Sequence, residues 1–71
     1  MSLGNGYILN ANLDDAYIQE LITRCGFTDV TQPGSYWSYA IMDQDGITSN
    51  MGSINGARDW LIQKWLIQQN S

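Results

Sequence analysis

The chain has 71 residues, a net charge of −4 and an apolar share of 44%, which together indicate one small folded domain rather than a disordered chain. Its three cations cannot neutralise a run of phosphates, so we expect no nucleic-acid partner and no attachment to an anionic membrane. No apolar run is long enough to cross a bilayer, and because Cys25 is the sole cysteine, a reducing cytoplasmic location fits best.

The N-terminal half predicts a short strand and a helix. Residues 7–9 can form a short strand, and residues 1–5 before it are expected to be flexible. The helix is predicted over residues 13–25, with Asn12 as its N-cap. Gly26 follows as a left-handed C-terminal cap. The apolar side chains of this helix recur at helical spacing and form one stripe: Tyr17, Ile18, Leu21, Ile22 and Cys25.

The stretch 36–50 predicts a β-hairpin, and a short strand around 28–31 can precede it. Asp43 and Gly46 suit the first and fourth positions of a type I turn in which Gly46 forms a G1 bulge. In that register Asp43 faces Ile47, and one face gathers the large apolar side chains Trp37, Tyr39, Ile41, Ile47 and Met51. A simple four-residue loop would scatter them over both faces, so the bulged turn is favoured.

The last predicted element is a helix over residues 54–68, with Ser53 as its N-cap. One broad apolar stripe suits a core-facing side: Ile54, Leu61, Ile62, Trp65 and Leu66. The order helix, hairpin, helix predicts a small two-layer α+β domain, αββα, which becomes βαββα if residues 7–9 form a strand. We expect residues 1–71 to make a single domain.

A second apolar side of this helix suggests an interface. Trp60 and Ile67 lie one heptad apart, away from the main stripe, with Lys64 beside them and Ala57 as a bridge. Either the core wraps further round the helix than usual, or another chain covers these residues. We expect Trp60 to be buried by another chain and Trp65 within its own.

The residues that could perform chemistry have simpler structural explanations. Asp43 and Asp45 match part of a calcium loop, but Ile41 and Gly52 occupy its first and last ligand positions, so a turn is favoured. Cys25 lies on an apolar stripe, and the chain has no histidine to activate it or to bind zinc. We therefore expect no enzyme, no catalytic residue, no metal and no cofactor.

The sequence thus predicts a small acidic protein-interaction domain, most simply a homo-oligomer that associates through its C-terminal helix. Its interface residues would be Trp60, Ile67, Lys64 and Ala57. Two alternatives stay open. The acidic chain could inhibit a partner protein or mimic nucleic acid by binding a basic site. It could also hold a small ligand in a pocket beneath the hairpin, lined by Trp37 and Tyr39.

Overall fold

The computed structural model describes residues 12–70, which form an α+β domain as predicted. The elements are α1 (Asp15–Cys25), β1 (Thr28–Asp29), β2 (Tyr39–Met42), β3 (Thr48–Met51) and α2 (Ile54–Gln69). The strands of this part of the chain form one antiparallel sheet in the order β1-β2-β3. The short β1 lies within residues 28–31, where the sequence suggested a strand, and stands between α1 and the hairpin. The strand predicted at 7–9 and the flexible segment predicted at 1–5 lie outside the described residues.

Helix α1 begins later than its sequence suggests. Its N-cap is Asp14, not Asn12: the Asp14 Oδ1 accepts a 2.9 Å hydrogen bond from the backbone N–H three residues later. Both residue types cap well, and Asp14 takes the role because its backbone is extended while the Asn12 carbonyl accepts the Asp14 N–H. The predicted C-terminal end is confirmed, because Gly26 is left-handed and the Phe27 N–H donates to the Ile22 carbonyl at 3.0 Å.

The hairpin adopts the register that the bulged turn predicts, with Tyr39 opposite Met51. The Asp43 N–H donates to the Ile47 carbonyl at 2.9 Å, and the Gly46 N–H donates to the Asp43 carbonyl at 3.1 Å. Gly46 has a φ of 81°, in the left-handed region that a G1 bulge requires. The turn therefore fixes which side chains of β2 and β3 face the helices.

Replacing Gly46 by alanine should destabilise the fold by about 1 kcal/mol or more. A Cβ at Gly46 would meet nothing within 4 Å, so the cost comes from the left-handed backbone alone. Gly52 is a matched control, because its φ lies outside that region and a Cβ there would only touch the Trp37 ring at 4.0 Å. Urea unfolding of both variants measures the difference. Equal losses of stability at Gly46 and Gly52 would contradict the bulged turn.

The core lies between the two helices and the sheet. Its buried members come from every element except β1: Tyr17, Ile18, Leu21, Ile22, Cys25, Tyr39, Ile41, Met51, Ala57, Leu61 and Trp65. Two members of the predicted apolar face do not join this core, since Trp37 and Ile47 are 40% and 61% exposed. Both precede their strands and lie at the two ends of the hairpin, outside the set of residues that pack in the core.

Candidate protein-interaction surface

Helix α2 turns one side to the core. Ala57, Leu61 and Trp65 are its buried residues and follow each other at four-residue spacing. Trp65 is only 7% exposed, which confirms that it is buried within its own chain. The sequence also placed Leu66 on this side, yet it is 42% exposed. It falls about 100° further round the helix than Trp65 and leaves the core.

Ala57 corrects the predicted interface. It was expected to bridge Trp60 and Ile67 on an outer side, but it is completely buried and belongs to the core. A small side chain at this point lets the helix approach its neighbours closely, as dense packing requires. Ala57 therefore offers no surface to another chain, and the predicted set loses this member.

The remaining three predicted residues share the outer side of α2. Trp60 is partly buried, and its ring lies 5.5 Å from the Phe27 ring, centroid to centroid, at 48°. The Lys64 ammonium lies 5.5 Å from the Trp60 ring centroid, within cation–π range. Ile67, one turn further on, is 61% exposed. We call Phe27, Trp60, Lys64 and Ile67 the α2 patch.

An open cleft of about 160 Å³ adjoins the α2 patch. Its walls are the hairpin turn on one side and the C-terminal part of α2 on the other, and its lining residues are Phe27, Asp43, Gln44, Asp45, Lys64, Ile67 and Gln68. Pockets that bind drug-sized ligands usually have volumes of about 300–1,000 Å³. The cleft is therefore better suited to one or two side chains of a protein.

Two glutamines hold the walls of the cleft together. The Cys25 carbonyl at the end of α1 accepts hydrogen bonds from the Gln44 Nε2 at 3.4 Å and from the Gln68 Nε2 at 2.9 Å. A helix leaves its last carbonyls without partners inside the helix, so side chains from elsewhere can satisfy them. The end of α1 thus fixes both the hairpin turn and the end of α2.

The turn supplies two carboxylates with different roles. The Asp43 Oδ1 accepts hydrogen bonds from the backbone N–H groups of Asp45 and Ile47, at 2.9 and 3.0 Å. That carboxylate therefore stabilises the turn, which supports the turn interpretation over a calcium site. Asp45 is exposed on the same wall of the cleft. Among residues 12–70, no group of three or more Asp, Glu, Cys or His could hold a metal ion.

The cations also differ in their partners. Arg24 and Arg58 each pair with a carboxylate on their own helix, at 2.9 and 3.1 Å. Lys64 has no carboxylate within ion-pair distance in the described part of the chain, and its ammonium lies against the Trp60 ring. The cleft thus has an exposed carboxylate on one wall and, on the other, an ammonium that has no carboxylate partner among residues 12–70.

The predicted pocket beneath the hairpin does not coincide with this cleft. Tyr39 is buried, and its hydroxyl donates a 2.7 Å hydrogen bond to the Asp15 Oδ1. Burial, followed by that hydrogen bond, raises the pKa of the Tyr39 phenol. Trp37 lies on the surface, edge-on to Tyr36 with ring centroids 5.0 Å apart. Neither Trp37 nor Tyr39 lines the cleft, which lies at the turn end of the hairpin.

Cys25 is a buried hydrophobic residue, as predicted. It is 1% exposed, and its Sγ donates to the Leu61 carbonyl at 3.5 Å. Burial raises the pKa of the Cys25 thiol to about 11, so the reactive thiolate is scarce at neutral pH. The thiol holds α1 and α2 together by packing and does not face the cleft.

No protein-family model matches this chain, and neither the curated proteins nor the solved structures include a significant match. Within residues 12–70, neither helix has the length and apolar character needed to cross a bilayer. The fold and the surface together define a small α+β domain whose α2 patch combines exposed and partly buried apolar side chains with Lys64, and the carboxylate of Asp45 lies on the opposite wall of the cleft.

Proposed function

We propose that this chain is a small acidic, non-enzymatic protein-interaction domain that self-associates through its C-terminal helix, α2. The main support is the 61% exposure of Ile67 beside the partly buried ring of Trp60. Large apolar side chains that cluster on a surface commonly mark a contact with another protein. Tryptophan is also among the residues that contribute most to such contacts.

The small size of the described domain is a further reason to expect a partner. A domain of this size buries only about 60% of the surface that its unfolded chain exposes, so its core alone gives marginal stability. Association adds stability because a partner that binds only the folded state shifts the folding equilibrium. A reducing cytoplasmic location belongs to this proposal and is consistent with the buried, free thiol of Cys25.

The acidic alternative has weaker support. Its basis is the net charge of −4, yet several carboxylates already act within the chain. Asp14 caps α1, Asp29 binds Thr31 and Gln19, and Asp43 stabilises the turn. Fewer carboxylates are therefore available to bind a basic partner or to mimic a row of phosphates.

Sedimentation across a concentration series tests self-association. Replacing Ile67 by serine should weaken association at least about tenfold, because it removes the most exposed apolar side chain of the α2 patch. Circular dichroism should stay unchanged, since Ile67 does not belong to the buried core. Trp60→Ala should also weaken self-association. It removes the ring contact with Phe27 as well, so it should also lower the stability of the fold.

Tyr36→Ser is the matched control, because Tyr36 is 89% exposed and lies at the opposite end of the hairpin from the turn. It should associate as the wild type does. A wild-type chain that is monomeric at all concentrations would show that self-association is wrong. Equal dissociation of the Tyr36 and Ile67 variants would place the interface outside the α2 patch.

A further inference from the structure

Building on the proposed self-association, we propose that the hairpin turn forms the other half of the interface. In a two-fold symmetric dimer, Lys64 of each protomer pairs with the partner's Asp45. The apolar residues of the α2 patch meet at the centre, with Ile67 close to the symmetry axis. The occupant of the surface is thus a second copy of this chain.

The arrangement of charges around the cleft supports this geometry. Asp45 lies on the turn wall and Lys64 on the α2 wall of the same cleft. A two-fold axis that runs along the cleft exchanges the two walls, so each wall of one protomer faces the opposite wall of its partner. Positive then meets negative at both edges, and the surface is complementary to itself.

Among the charges that line the cleft within residues 12–70, Asp45 and Lys64 are best placed for such a contact. Asp43 shares the turn wall, but its Oδ1 already accepts two backbone hydrogen bonds. Asp45 is exposed, and among residues 12–70 Lys64 lacks a carboxylate partner. Charges at the edge of an apolar contact determine which partner binds and in which orientation, more than they determine affinity.

A second copy fits this surface better than a strongly charged partner. A basic protein would meet Lys64, and an acidic one would meet Asp45, so either would bring like charges together at one edge. The net charge of −4 on each copy does not prevent association, since repulsion is screened beyond about 8 Å at physiological salt. The contact pairs act at a much shorter distance.

Charge exchange tests the proposal. Lys64→Glu and Asp45→Lys, each alone, should weaken self-association at least about tenfold, because like charges then face each other at both edges. An equimolar mixture of the two variants should recover association as a heterodimer, since both edges again carry opposite charges. The double variant should recover it as a homodimer, and it keeps the wild-type net charge. Circular dichroism confirms that each variant is folded, and Lys64→Gln with Asp45→Asn serves as a milder pair.

Each other outcome has a distinct meaning. Recovery in the double variant but not in the mixture would show that Lys64 and Asp45 interact within one chain, which overturns the proposal. Single variants that associate like the wild type would leave self-association intact and exclude this geometry. A monomeric wild type would instead refute the proposed function itself.

Discussion

Replacing Leu61 by alanine is expected to destabilise the chain by about 2–5 kcal/mol, the range for removing a fully buried leucine side chain from a core. Leu61 is completely buried on the core side of α2, and its carbonyl accepts a hydrogen bond from the Cys25 thiol. Native proteins have only about 5–15 kcal/mol of stability in total, so this loss is a large fraction. The unfolding midpoint in urea measures the change.

The Cys25 thiol provides a second measurement of the same loss. In the wild type it should react slowly with a thiol reagent, because it is buried and its pKa is raised to about 11. Labelling then requires unfolding, so Leu61→Ala should accelerate it by about tenfold for each 1.4 kcal/mol of lost stability. Leu66→Ala is the control on the same helix and should change both measurements little, because Leu66 is 42% exposed. Fast labelling of the native wild type would contradict a buried thiol.

The elements that the sequence predicted well are those with local causes. The Ser53 N-cap is confirmed, with its Oγ accepting the Gly56 N–H at 3.1 Å, because a helix start depends on adjacent residues. The register of the hairpin follows from one glycine, Gly46, and its left-handed φ. The N-cap of α1 was predicted at Asn12 but lies at Asp14, because both residue types cap helices well and the sequence does not show which backbone is extended.

The parts that the sequence did not predict depend on contacts between distant residues. Gln44 and Gln68 bind one carbonyl that lies 19 and 43 positions away, and no periodicity signals such a contact. The cleft lies between the elements that those two hydrogen bonds join, so it was missed as well. Ala57 was assigned to the wrong side of α2 because its angle on the helix is intermediate, and only packing against α1 and the sheet decides the side.

Asp29 joins three elements and was also missed. Its Oδ1 accepts hydrogen bonds from the Thr31 N–H at 2.9 Å and the Thr31 hydroxyl at 2.6 Å, and its Oδ2 accepts one from the Gln19 Nε2 at 2.6 Å. The Thr31 Oγ1 in turn accepts a 2.8 Å hydrogen bond from the Ala40 N–H. One carboxylate therefore links α1 to the end of β1 and, through Thr31, to β2.

Those hydrogen bonds decide the direction of the Asp29 pKa. Burial alone would raise the pKa of this carboxyl, but the hydrogen bonds from Thr31 and Gln19 outweigh burial and hold the pKa below its usual value. The folded state therefore binds the proton more weakly than the unfolded state does. The resulting stability is present above the ordinary carboxyl pKa and is lost as the pH falls through the lowered one.

Asp29→Ala should therefore cost about 2 kcal/mol or more at neutral pH, because it removes the charged acceptor and leaves the Thr31 and Gln19 donors without it. The difference in stability between wild type and variant should shrink as the pH falls below about 4, since the wild type then protonates Asp29 and loses the same contribution. Urea unfolding at a series of pH values measures this difference in stability.

Asp29→Asn keeps one acceptor oxygen without the charge, so it should lose less stability than Asp29→Ala at neutral pH. A difference between wild type and Asp29→Ala that is the same in acid as at neutral pH would show that the carboxylate charge does not stabilise the fold, and that Asp29 contributes only through its shape.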